Sequence, residues 1–506
     1  MRLLMARTVA ALVAAVVGTG AAVGPWAVPA GAAAARAGAA RSAPVLSWHS
    51  CDKRFRCAEL AVPISYLRPG RGTLDLSVVM LPASGKHPVG DLVTNPGGPG
   101  GSGVDFLEQA WSSFPASLRA SFNLVSFDPR GVDRSDPVVC ASAAETRHLL
   151  ALDPAPTTPA EIATVVTAVK GYVADCKAHT SHLLLANVGT RTTVLDLDRL
   201  RAALGEPKLD YLGLSYGTYI GELYAERFPS KVRAMILDGA VDPALSTQTS
   251  DLQQALGFET DLNDFLAWCD KNATCHSGLP DGARKDYNRL FDSFTAGHSI
   301  VANFQPLFGG RQPVGLGVAE IGVVSALYSK QDWPTLAQAL STGLRGNGDL
   351  LAELAYNYAG LQADGTFSNI DDANTAINCV DRPSPTTIAE YQALARQLAA
   401  KAPDFGASEA WGTLACAYWP VPPAGPPAAI HAPGSPPILV VGSTGDPATP
   451  YAWAQAVASQ LDHAVLLTRA GSGHTGYFSS ACVRSWADGY LTSLTLPPKG
   501  TICPSN

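Results

Sequence analysis

Short apolar runs alternate with amphipathic segments along most of this chain. Thr73 to Leu81 alternates like a half-buried strand. Leu92-Val93-Thr94, Leu124 to Phe127, Tyr211-Leu212, Ala234 to Leu237, Ile438 to Val441 and Ala464 to Thr468 are near-continuously apolar. Helical patterns separate these runs, as Thr218 to Phe228 does after Tyr211-Leu212. Continuous apolar strands spaced by helices predict a mostly parallel α/β sheet covered on both faces. In such sheets the reactive loops lie at the C-terminal strand ends.

The pattern changes between about Pro243 and Pro433. Ala319 to Leu327, Trp333 to Leu344, Leu350 to Leu361 and Ile388 to Ala399 read as helices, and no strand followed by a reactive loop occurs there. A proline-rich stretch, Pro420 to Pro437, leads back to the sheet. The expected organisation is a leader over 1–43, a first core part over 44–242, an inserted helical cap over 243–432 and a second core part over 433–506.

The leader carries Arg2 and Arg7, then a small, apolar stretch from Thr8 to Val23 and alanine-rich cleavage sites near Ala30 to Ala32. This is the layout of a cleaved secretory signal; the apolar core is short and broken by Gly18 and Gly20, unlike a membrane anchor. Ten cysteines in an exported chain imply disulfides. The simplest pairing joins neighbours: 51–57, 140–176, 269–275, 379–416 and 482–503. A metal site is a weak alternative, since no C-x-x-C occurs. The net charge of −7 and the lack of a basic run give no reason to expect a nucleic-acid partner. Nothing calls for a cofactor, and the oligomeric state is left open.

Chemistry concentrates at the strand ends. Gly213-Leu214-Ser215-Tyr216-Gly217 follows one apolar strand and opens a helix, the setting of a nucleophile elbow. A glycine-flanked serine in an ordinary strand-to-helix loop shares this local pattern. Two later residues change the picture. Asp446 in Gly445-Asp446-Pro447 and His474 between Gly473 and Thr475 each follow a strand, in the order Ser…Asp…His. A serine nucleophile needs a base for its proton and an acid to orient that base. Asn95-Pro96-Gly97-Gly98-Pro99-Gly100-Gly101 follows another strand, where the backbone N–H groups of Gly98 or its neighbour and of Tyr216 can face an oxyanion. Asp128 and Arg130, in Asp128-Pro129-Arg130-Gly131, read as a structural ion-paired turn.

Together these motifs resemble secreted tripeptidyl aminopeptidases of the α/β-hydrolase fold, relatives of prolyl aminopeptidases. The resemblance spans about Cys51 to Cys503, and the stretch from about Trp411 is similar to the family's terminal module. It implies Ser215, Asp446 and His474 as catalytic triad, Gly98 and Tyr216 as oxyanion donors, and release of short peptides from free N-termini. A free N-terminus needs a carboxylate to receive its ammonium. Asp381, in Ala376-Ile377-Asn378-Cys379-Val380-Asp381, resembles a family segment of the cap and is the candidate; an ordinary turn aspartate is the alternative. An exported esterase on the same triad, or a catalytically dead binding domain, are the competing readings.

Overall fold

The computed structural model describes residues 46–303 and 310–505; the leader expectation falls on residues outside these. Twelve strands are present among the described residues: β1 (His49–Ser50), β2 (Arg56–Pro63), β3 (Thr73–Leu81), β4 (Gly90–Asn95), β5 (Phe122–Phe127), β6 (Leu209–Leu214), β7 (Val232–Asp238), β8 (Ile300–Ala302), β9 (Gln312–Val314), β10 (Ile438–Gly445), β11 (Ala464–Ser472) and β12 (Ile502–Cys503). Ten of them form one sheet in the order β1-β2-β3-β5-β4-β6-β7-β10-β11-β12. From β5 through β12 every neighbour is parallel, while β1, β2 and β3 add an antiparallel edge.

Every residue of β6 is buried, and so is all of β7 except Arg233. Strands covered on both faces have no use for polar alternation, which is why they read as continuous apolar runs. Leu92, Leu124, Leu212, Ile236, Leu439 and Leu467 from six adjacent strands share one core cluster. They pack with Val104 and Leu107 of the helix Gly103–Ala110 and with Val483, Ala487 and Leu491 of the helix Ala481–Ser493.

β2 was not anticipated from sequence. Its buried positions Ala58, Leu60 and Val62 alternate with Glu59 and Ala61, and it pairs along its whole length with β3. The signal is present but short and mixed with charge. Between β7 and β10 the chain is mainly helical, with the two-stranded β8–β9 hairpin as its only sheet among the described residues. Helices there run Leu316–Leu327, Trp333–Gly343, Asp349–Tyr358 and Ile388–Ala399. The third stops short of the expected Leu361 because Gly360 turns the chain with φ +84°. Phe258, Phe265, Leu336, Leu340 and Leu351 anchor a separate core in this segment.

All ten cysteines are paired, as 51–57, 140–176, 269–275, 379–416 and 482–503, which is the neighbour pairing expected from sequence. Each closes a local loop and fits an oxidising compartment. Among the described residues no helix is long and apolar enough to cross a membrane.

Candidate active site

Ser215 links β6 to the helix Tyr216–Arg227, and its backbone has φ +54° and ψ −129°. A serine is held in that sparsely populated region only by its surroundings. They are specific here. The N–H of Ser215 donates to the carbonyl of Asp238 at 2.9 Å, and its carbonyl accepts the N–H of Thr218 at 2.8 Å. Gly213 and Gly217 are required by contact: a Cβ on Gly213 would lie 2.4 Å from the Gly217 carbonyl, and one on Gly217 would lie 2.6 Å from the Asn95 carbonyl.

The glycine loop after β4 lies against this turn. Asn95 Oδ1 accepts the N–H of Gly97 at 3.0 Å. A Cβ on Gly97 would stand 2.9 Å from Ser215 Cβ and 3.0 Å from the backbone nitrogen of Tyr216. Asn374, on the helix Ile370–Asp381, donates to the carbonyl of Pro99 and holds the loop from the other side. Gly98, Ser215 and Tyr216 border one cavity of about 350 Å³.

His474 and Asp446 meet beside it. The two Asp446 oxygens lie 2.9 and 3.0 Å from His474 Nδ1. Asp446 also accepts the N–H groups of Ala448, Thr449 and Thr475, which aim the carboxylate. Burial works against the charged imidazole, but the charge and hydrogen bond of Asp446, with Asp238 behind, outweigh it and raise the His474 pKa above 6.5. His474 Nε2 is buried without a hydrogen-bond partner, and the Ser215 hydroxyl does not bond to it in this conformation. Such contacts are often loose without substrate and tighten when it binds. A Cβ on Gly239 would meet His474 Cε1 at 3.1 Å, so the imidazole sits next to the strand end that receives the Ser215 N–H.

Three contacts around His474 were not anticipated. Asp238 binds the N–H groups of Gly476 and Tyr477 with its carboxylate, so one fully buried residue ties the serine turn to the histidine loop. Burial pushes its pKa to about 6 against those N–H bonds. Tyr328, at the end of the helix Leu316–Leu327, accepts the His474 N–H on its carbonyl at 2.8 Å and sets its ring edge-on to the imidazole at 5.3 Å. Thr449 Oγ1 lies 3.3 Å from His474 Nδ1. Asp238 was legible as a buried acid closing an apolar strand; the other two have no local signature.

Known proteins bear on this geometry. A family model for the alpha/beta hydrolase fold matches residues 92–278, and one for TAP-like protein matches residues 402–503. Serine protease Hip1 of Mycobacterium tuberculosis is 39% identical over 461 residues, covering 88% of this chain and 87% of its own. Carboxylesterase B of the same organism is 36% identical over 487 residues, covering 92% and 91%. Tripeptidyl aminopeptidase of Streptomyces lividans is 30% identical over 493 residues, covering 94% and 89%. The chain belongs to the tripeptidyl aminopeptidase family, with the α/β-hydrolase fold. It is a serine hydrolase.

In this family member the cavity beside Ser215 carries an acidic wall. Asp381 borders it, with one oxygen accepting the Thr190 N–H at 2.8 Å and the other the Thr190 hydroxyl. Burial raises its pKa to about 6, opposed by those two bonds and by the charges of Arg382 and Arg191. Thr190 also bonds the hydroxyl of Tyr216, so Asp381 is linked to the residue after the serine.

Two further carboxylates line the same cavity: Asp251 on the helix Thr247–Lys271 and Glu409 on the helix Gly406–Gly412. Asp251 Oδ2 is buried and unpartnered. Burial, then the neighbouring Glu409 charge, raises the Asp251 pKa well above the usual carboxylate range. Burial alone pushes Glu409 to about 7. Sequence reasoning missed this pair because the two helices are far apart in the chain and neither segment has a motif.

Arg130 belongs to the scaffold. Its partner is Asp196 on the helix Thr190–Ala203, through Nε at 2.6 Å and Nη2 at 2.7 Å, both side chains fully buried. Asp128 instead accepts the Ser102 hydroxyl and the Val104 N–H, fixing the start of the helix Gly103–Ala110.

Proposed function

We propose that the protein is a secreted serine exopeptidase that cleaves peptides near a free N-terminus, releasing tripeptides. Ser215 Oγ attacks the carbonyl carbon, and His474 Nε2 takes the hydroxyl proton. Asp446 holds Nδ1 and stabilises the imidazolium that forms. The N–H groups of Gly98 and Tyr216 receive the oxyanion. The tetrahedral intermediate then collapses, His474 gives its proton to the leaving amine, and water releases the acyl-enzyme by the same relay. No cofactor or metal is needed for any step.

The observation that carries the exopeptidase reading is the shared cavity: Ser215 borders it together with the Asp251 and Glu409 carboxyls. Two neighbouring half-buried carboxyls resist ionising together, and a bound ammonium relieves both. They suit a substrate N-terminus better than Asp381, whose oxygens both serve Thr190; Asp381 is kept as the third candidate. The tripeptide step rests on the name of the Streptomyces relative. Secretion rests on the leader pattern and on five disulfides.

The name of the 36% identical carboxylesterase favours a second reading, hydrolysis of carboxylic esters on the same triad. One experiment separates them. The mature protein is incubated with free and N-acetylated peptides and with short acyl esters, and products are read by mass. Tripeptides from free peptides alone support the proposal; cleavage of esters alone defeats it. Ser215→Ala should lower kcat by about 10⁶-fold, and near-wild-type turnover would remove the mechanism.

A further inference from the structure

A second hollow, of about 280 Å³, lies against the serine cavity, and its walls are largely apolar: Leu149, Leu150, Val165, Ile321, Trp411 and Leu414. Gly412 borders both spaces. A Cβ built on Gly412 would meet nothing within 4 Å, so the space beside it is open. The walls are braced. Trp411 stacks on Tyr391 with ring centres 5.7 Å apart. The disulfide 379–416 ties this segment to the helix Ile370–Asp381, and 140–176 ties Cys140, next to the wall residue Ala141, to the helix Pro159–His179 that carries Val165. Interiors are close-packed by default, so an apolar hollow held open next to a reactive serine has the form of a binding subsite.

Its position says which part of the substrate enters. Glu409 and Gly412 are three residues apart on one helix, so they share a face, and both border the serine cavity. We infer that the hollow receives the side chain of the substrate's first residue, entering past Gly412, and selects a large apolar one. This rests on the reading that Asp251 and Glu409 hold the substrate ammonium: the side chain nearest that ammonium is then the one beside Gly412. Any residue larger than glycine at 412 narrows the entrance, and any larger residue at Ile321 fills the far space.

The test uses tripeptide arylamides that differ only in the first residue: phenylalanine, alanine or lysine. The lysine member matters because the carboxyls of Asp153, Asp371 and Asp372 also border the hollow. Wild-type enzyme should prefer phenylalanine over both others by about tenfold or more in kcat/KM, the scale of a filled apolar pocket. In Gly412→Leu, and separately in Ile321→Phe, the phenylalanine-to-alanine ratio should fall by about tenfold. An unchanged ratio in both variants, or a wild-type preference for lysine, overturns the inference. Cleavage of no free-amine peptide by wild-type enzyme removes the ammonium reading, and the subsite with it.

Discussion

The backbone carbonyl of Asp238 accepts the N–H of Ser215 at 2.9 Å, while the carboxylate of the same Asp238 holds the loop that carries His474. The serine turn and the histidine loop are therefore positioned by one residue at the end of β7. Its charge also helps to raise the His474 pKa. Asp238→Asn removes that charge and should lower the imidazole pKa. A general base works only when neutral, so the acid limb of kcat/KM should move to lower pH than in the parent enzyme, where Asp446 and Asp238 hold the imidazole pKa up. A pH–rate profile with an unmoved limb would show that Asp238 acts on geometry alone.

The acidic wall makes a second prediction. Glu409→Gln or Asp251→Asn should raise KM for free-amine tripeptide substrates by about tenfold or more, since each truncates a charge-assisted bond to the ammonium. N-acetylated ester substrates should be little affected. If Asp381→Asn alone gives this split, the ammonium site belongs to Asp381.

Gly97 has φ +101°, and its missing side chain leaves room for Ser215 Cβ and the Tyr216 nitrogen. Gly97→Ala should shift the loop against the serine and cost at least about 10²-fold in kcat, with KM changing less, because the loss falls on reaction geometry. Circular dichroism and thermal melting would show whether the variant stays folded; a folded variant with parental kcat would refute the close approach.

Asp196 and Arg130 form a fully buried pair whose guanidinium also donates to the carbonyls of Pro63, Ile64 and Asn187. Asp196→Ala leaves a buried cation without its counter-charge. It should destabilise the protein by about 3–5 kcal/mol in urea melts. A loss under about 1 kcal/mol would mean that the guanidinium reaches water in the variant.

Stability should also depend on pH in a definite direction. Burial raises the carboxyls of Asp238 and Asp381 from 3.8 to about 6, Asp261 and Asp371 from 3.8 to about 7, and Glu409 and Glu320 from 4.5 to about 7 and about 8. With folded values above unfolded ones, the folded state binds these protons more tightly. Their stabilisation is complete below about pH 4 and is lost as pH rises through about 6 to 8. His474, raised from 6.5, has the same sign and acts from 6.5 upward. Tm measured from pH 5 to pH 8.5 should therefore fall with pH; a rise across that range would contradict the raised values.

Much of this site was readable in one dimension because its parts are local. Each strand of a covered parallel sheet is a continuous apolar run, and each reactive loop follows one directly. Ser215, Gly98, Asp446 and His474 thus announced themselves through glycine-rich turns at strand ends. The neighbour pairing of the cysteines was legible for the same reason, since each disulfide closes a short loop.

Contacts between distant segments left no such mark. Asp251 and Glu409 sit in helices, and Tyr328 caps a third, whose sequences report burial and nothing about what the buried faces meet. That Arg130 pairs with Asp196, that Tyr328 holds His474, and that Gly412 stands between two cavities follow from how those helices pack over the sheet. Periodicity and turn chemistry are properties of neighbouring residues, so the sequence by itself determined the sheet and the candidate reactive groups at its edge. The shape and charge of the space above them depend on packing between elements far apart in the chain, and only the tertiary structure decided those.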